Sequence, residues 1–365
     1  MKMKTGTSPF FSAQRKGINY NRRLSDAIAW LRFPLIFFII MLHCYSVKSL
    51  EGSHDTYFKL VYPLALWLGE TGVPGFFFIS GYLFFLSKKS YPEKLKGRLR
   101  TLLVPYLLWN ALLFSLYVAL YATGHPQDIN GRSMADYGFV DYLRLFWDRG
   151  TYDDGNFVPL LCPLWYIRNL MLMSVFSPIL FYAIRYLREF LIVGLAFWWM
   201  TTYHNAFIPQ TLLFFSLGAY FSLLGINPLE QFTKAKFLLF SLFFVCAMGD
   251  IVSHTFLDTP INLQIHRASL ILNIPVLLLL ADLCTRKGWA CKTLTDATFI
   301  VFCVHYPIVV ALRKITIGQF SDASDTTHLL LYLACVVIST LLSLMVYQIL
   351  DKHFPRFKNI MTGSR

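Results

Sequence analysis

Charge is what this sequence has least of. Asp, Glu, Lys and Arg together make up 15% of its 365 residues, where a soluble domain carries roughly 25%. That shortage excludes an ordinary soluble enzyme and a disordered chain. Cysteine is equally uninformative as a framework. The seven cysteines are an odd number without a CxxC pair. Cys44, Cys162, Cys246, Cys303 and Cys335 sit in or near apolar runs, and Cys284 and Cys291 flank a basic loop. Neither a metal site nor a disulfide scaffold is predicted. No internal repeat or low-complexity tract is present, and the first apolar run lacks a small-x-small cleavage signal, so it reads as a retained anchor.

What is abundant is apolar. Hydrophobic residues reach 56%, with 34 Phe, 20 Tyr and 8 Trp, enough for about ten runs of roughly 20 residues. The fold class expected is an all-α polytopic membrane protein. Its spans are placed near 27–48, 58–86, 100–123, 160–184, 190–204, 208–226, 236–254, 267–283, 297–313 and 327–350. The expected organisation is a basic N-terminal segment, 1–26, a membrane domain, 27–350, and a tail, 351–365.

The net charge of +13 is a matter of topology. With the N-terminus inside, 23 of the 33 Lys and Arg residues fall in cytoplasmic segments, which puts both termini in the cytoplasm. Membrane lipids are therefore the expected surroundings, and nucleic acid is not an expected partner. The long external loop, about 124–159, mixes aspartates and arginines with seven aromatics and is predicted to be partly ordered.

Ionisable groups inside apolar runs are costly and mark candidate sites. The first run holds Arg32 and His43, eleven residues apart, which returns to nearly the same helix face about 16 Å further along. An imidazole there suits activation of a hydroxyl. The plainer alternative has Arg32 snorkelling to the interface and His43 bonding between helices. The second run carries Glu70 within Gly69-Glu70-Thr71-Gly72-Val73-Pro74-Gly75, followed by Ser80-Gly81-Tyr82. Three glycines and a proline predict either a broken helix lining a cavity or a small-residue packing face. Lys88, Lys89, Lys94, Lys96, Arg98 and Arg100 precede Val104-Pro105-Tyr106. They suit anionic lipid, and the guanidinium forks of Arg98 and Arg100 also suit phosphates. Arg168 follows Leu164-Trp165-Tyr166-Ile167. Asp250 and His305, the latter in Val304-His305-Tyr306-Pro307, complete the embedded polar groups.

Together these motifs resemble acyltransferase family 3. Arg32, ten residues and His43 match its signature; Phe77-Phe78-Ile79-Ser80-Gly81-Tyr82-Leu83, Arg98-Leu99-Arg100 and Val104-Pro105-Tyr106 match its next motifs. Leu164-Trp165-Tyr166 and Val304-His305-Tyr306-Pro307 fit weaker patterns. The resemblance implies a bacterial inner-membrane O-acyltransferase that moves an acyl group, commonly acetyl from acetyl-CoA, to a hydroxyl of a cell-surface glycan or lipid-linked precursor. It implies catalytic roles for His43 and Arg32 and donor binding by Arg98 and Arg100. Ser80, Gly81, Tyr82, Glu70, Trp165, Arg168 and His305 become candidate substrate-channel residues. Acyl-CoA is expected as co-substrate, with no bound cofactor. One departure is Ala29, three positions before Arg32, where members often carry an acid; the nearest here is Asp26. A carrier that moves glycan or lipid without acyl transfer is the alternative class, and an inert relative a third.

Overall fold

The computed structural model describes residues 22–45, 56–125, 128–129, 131–150, 155–257, 261–320 and 323–363. The basic segment before Arg22, the end of the first expected span and the loop residues Asp153 and Asp154 lie outside them. Helix dominates the described residues. The first is α1, Arg22–Cys44. It is followed by α2, Thr56–Tyr62, a π-helical stretch, Pro63–Leu68, and α3, Gly69–Leu86. Then come α4, Tyr91–Arg98, a second π-helical stretch, Leu99–Leu103, and α5, Val104–Ala122. A strand pair, β1 Asp128–Ile129 and β2 Arg132–Ser133, and α6, Phe139–Arg144, form the external loop. The rest is α7 Trp165–Leu187, α8 Glu189–Thr201, α9 Phe207–Leu223, α10 Pro228–Lys234, α11 Lys236–Val252, α12 Asn262–Arg286, α13 Lys292–Phe320, α14 Asp325–His353 and α15 Pro355–Met361.

Seven described helical segments are long and apolar enough to cross a bilayer by themselves. Others come short for local reasons. The 13-residue α8 is apolar but brief, and α9 and α10 meet at a 94° bend. The protein is a multi-pass helical membrane protein. Its outward surface agrees: Phe190 is 83% exposed, Phe237 80% and Phe197 70%, and apolar surface on that scale is stable only against lipid.

Two compact units emerge: Ser80–Gly225 with Phe354–Arg365, and Ile18–Ile79 with Ile226–His353. In the second unit α1 is the central rod, packed by α12, α13 and α14. Its buried stripe runs through Leu24, Ala27, Ile28, Leu31, Leu35, Ile36, Ile39 and Ile40. The glycine-rich run does not break the chain. Gly69–Leu86 is continuous helix with Pro74 inside it, and the irregular turn lies just upstream at Pro63–Leu68. The reason is close packing: a Cβ on Gly72 would lie 2.5 Å from Ile39 Cγ1 and 2.7 Å from the Leu35 carbonyl oxygen. Small residues here let two membrane helices approach, which is how such helices associate without a hydrophobic drive.

In the first unit α9 packs on α7 and α8. The external loop has a small core of its own, with Ile129, Met134, Leu145 and Leu160 buried against Phe114, Tyr117, Tyr137 and Tyr142. Asp141 ties its strand pair to α6. The Gly138 N–H and the Arg132 guanidinium both donate to Asp141 Oδ2 at 3.1 Å and hold its carboxyl below the usual carboxylate range. At the other end of the unit, α15 docks on α5, where Trp109 Nε1 donates to the Met361 carbonyl at 3.1 Å. Gly363, at φ +67°, lies so close to the second π-helical stretch that a Cβ would come 2.5 Å from Thr101 Cα.

Candidate functional site

His43 stands near the external end of α1. Its ring centre is 5.4 Å from that of His305 and 5.0 Å from that of Tyr306, which meets it edge-on. Both partners come from α13, which packs along α1. The backbone carbonyl of His43 is approached by Arg313 Nη1 at 3.5 Å, while its imidazole, half-buried, has no hydrogen-bond partner among the described residues. His305 is 0% exposed. Its Nδ1 donates to the Val301 carbonyl at 3.0 Å, and its Nε2 is buried with no partner.

Arg32, on the same helix, is half-buried and also lacks a hydrogen-bond or ion-pair partner among the described residues. The stripe joining the two does not stay open. Ile36 and Ile39 lie on it between Arg32 and His43, and they are 0% and 2% exposed. The helix face that Arg32 and His43 share is therefore packed at its middle by isoleucine.

Glu70 belongs to a different cluster of the same unit. Its Oε2 accepts from His266 Nε2 at 3.0 Å, and His266 Nδ1 donates to Asp250 Oδ2 at 2.9 Å. Tyr62 OH and His254 Nδ1 both donate to Asp250 Oδ1 at 3.0 Å. Ser269 Oγ adds a 3.3 Å bond to Asp250 Oδ2 and accepts from Trp67 Nε1 at 3.1 Å. Asp250 is fully buried, whereas the Glu70 side chain is 41% exposed. The network joins α2, α3, α11 and α12 through bonds that satisfy each carboxylate. Sequence reasoning singled out Glu70 and Asp250 separately and missed His266. The available signal was the Asp250–His254 spacing of four, which stacks two polar groups on one helix face.

The remaining candidates lie in the other unit. Ser80 Oγ and Tyr166 OH are 2.9 Å apart. Gly81 faces the Phe215 backbone, where any Cβ would collide with the carbonyl oxygen, and Tyr82 is fully buried. Trp165 lies flat on Phe207, with ring centres 3.9 Å apart and 8° between planes. Arg168 is 2% exposed and its guanidinium is consumed by structure. It donates to the Trp147 carbonyl at 2.8 Å, the Phe157 carbonyl at 3.1 Å and Asn169 Oδ1 at 3.3 Å, and it covers the Phe157 ring at 4.2 Å. It staples the external loop to α7 and closes the polar end of an otherwise apolar cavity of about 390 Å³ between α7 and α9.

Arg98 ends α4 and Arg100 lies in the π-helical stretch that follows. Arg98 is half-buried, its guanidinium 5.4 Å from the Phe84 ring, with Lys94 Nζ 4.9 Å from the same ring. Arg100 is exposed. The three cations share a helix end, and a π-helical turn commonly marks a functional site.

The described residues thus present, within a helical membrane fold, an imidazole without a hydrogen-bond partner among them and a cationic helix end. The profile of the acyltransferase domain of acyltransferase family 3 matches residues 25–348, and the chain belongs to that family. It is a multi-pass membrane acyltransferase. It is similar to the succinoglycan biosynthesis protein ExoH of Rhizobium meliloti (strain 1021), 28% identical over 366 aligned positions that cover 94% of this chain and 93% of that protein. No solved structure matches it.

Proposed function

We propose that the protein is an O-acetyltransferase of the bacterial inner membrane. It moves acetyl from acetyl-CoA to a hydroxyl of a cell-surface glycan or its lipid-linked precursor. His43 carries the reaction in this reading. The acceptor oxygen bonds to the thioester carbonyl carbon and the C–S bond breaks. The hydroxyl proton passes to the His43 imidazole and from there to the departing thiolate. A second route to the same product places the acetyl group on His43 before the hydroxyl takes it. Arg98 and Arg100, with Lys94 beside them, hold the donor's phosphates. Arg32 is a further cation toward the cytoplasmic side of α1.

The observation that carries the reading is the His43 ring. It is half-buried in a membrane helix, free of hydrogen bonds to any described residue, and at the position where the family signature has its histidine. The relative's involvement in succinoglycan biosynthesis favours a polysaccharide acceptor. The carrier alternative draws on a broken second segment and on the long external loop; of these, the glycine-rich run is continuous helix through Gly69–Leu86.

The test is mass spectrometry of envelope glycans from cells with and without the protein. Loss of a 42-Da ester mass (about the mass acetyl adds in place of hydrogen) on deletion, restored by complementation, is the expected result. Unchanged ester content with altered glycan amount would favour a carrier. Donor identity is tested in nanodiscs by following CoA release from acetyl-CoA.

A further inference from the structure

His305 was grouped with the channel residues, yet its side chain is sealed from solvent. Its geometry fits another task. A carbonyl oxygen can only accept, so the bond from His305 Nδ1 to Val301 places the ring proton on Nδ1. The other nitrogen, Nε2, is then a bare acceptor. That atom is buried and has no partner, and buried acceptors are rarely left so. The nearest ring with nitrogens to spare is His43. The ring centres are 5.4 Å apart and the planes tilted by 32°, a separation at which two ring nitrogens turned toward each other along the line of centres meet at about 3 Å, a normal hydrogen-bond length.

We propose that His305 is a positioning residue for His43. Its Nε2 accepts the N–H of the His43 imidazole, which fixes the His43 tautomer and turns the opposite nitrogen, bare, toward the acceptor hydroxyl. This rests on the assignment of His43 under the proposed function. Other nucleophile–base pairs have a carboxylate in the orienting place. Here no carboxylate contacts His43 among the described residues. The groups that meet it are the rings of His305 and Tyr306 on α13, with Arg313 at its backbone carbonyl; its chain neighbour Cys44 is the residue that meets Ser339 and Cys335 on α14. A neutral imidazole supplies the acceptor without adding a second charge to the membrane interior. As His43 takes the hydroxyl proton it becomes a two-proton ring. One N–H stays on His305, and the other proton passes to the leaving thiolate.

The experiment uses the full chain in nanodiscs, acetyl-CoA as donor, and de-esterified envelope polysaccharide from a deletion strain as acceptor. H305F keeps a ring but removes the acceptor nitrogen. The expected result is a kcat lowered on the order of 10²-fold, with the KM for acetyl-CoA and for polysaccharide within about twofold of wild type. H305Q returns an acceptor oxygen near the Nε2 position and is expected to recover most of that kcat. Wild-type kcat in H305F overturns the proposal. A loss in H305Q as large as in H305F also overturns it, and so does a loss confined to KM. If H305F does not fold, H305Q decides alone: kcat near wild type supports the assignment, and a hundredfold loss in folded protein ends it. H43A separates the two levels. Transfer surviving in H43A removes the proposed function of His43 itself. An inactive H43A beside a fully active H305F removes only the role of His305.

Discussion

Two histidine clusters occupy the same unit, and they are opposites. Around His266 every strong donor and acceptor is spoken for. Both ring nitrogens bond to carboxylates at 2.9 and 3.0 Å, and Tyr62, His254 and Ser269 complete Asp250. Around His43 little is satisfied among the described residues: the His43 ring has no hydrogen bond to any of them, and His305 has a bond on one nitrogen only. Burying polar groups is costly in both places. In the first the cost is offset within the protein, and the product is a tie between helices. In the second no described residue offsets it, and on the proposed function the partners are His305 and the acceptor hydroxyl. On the proposed function, saturation separates architecture from chemistry here better than residue type does, since both clusters are built on imidazole.

The sharpest way to break this contrast is to remove one ring from each side. H43A is expected to lose acyl transfer by about 10³-fold or more while its melting temperature in detergent stays close to wild type. D250A should do the reverse. Leaving the other members of a buried charged network uncompensated costs about 3–5 kcal/mol, measured as a lower melting temperature and reduced folded yield. Turnover per folded molecule should remain within a few-fold of wild type. If D250A folds normally and loses turnover, the His266 cluster belongs to the chemistry and the contrast fails. A smaller effect is expected from Gln at both Arg98 and Arg100. The KM for acetyl-CoA should rise about tenfold, the equivalent of 1.4 kcal/mol, with kcat in saturating donor little changed. The smallest is E70Q. Its amide still meets His266 and the site is 41% exposed, so a stability loss of about 1 kcal/mol is expected, read by denaturation and not by turnover.

Much of the helical architecture was legible because lipid makes a simple demand. Long apolar runs, with cations concentrated on one side, report spans and orientation without reference to any partner. At residues 69–75 two readings stood open, a broken helix and a small-residue packing face, and the structure takes the second. Helix propensity measured in water treats glycine and proline as breakers, but in a membrane helix the close approach of Ile39 to Gly72 outweighs that preference. Arg32 and His43 stood out because each is an expensive residue in an apolar run. What lies between them did not, since the burial of Ile36 and Ile39 depends on neighbouring helices. Arg168 was visible as an embedded cation, yet its ligands are carbonyls of Trp147 and Phe157, and backbone acceptors leave no mark on a sequence. The His266 network was hidden for a related reason. Its Glu70 bond spans 196 positions, and no periodicity reports a contact at that range.

The way α15 is docked has a practical consequence. Residues beyond α14 clamp Trp109 and press Gly363 against Thr101, one position from Arg100. On the proposed function, loosening these contacts would disturb the turn that carries Arg98 and Arg100. A substitution in α15 would then read as a weakened donor site, a rise in the KM for acetyl-CoA produced by residues that never touch it.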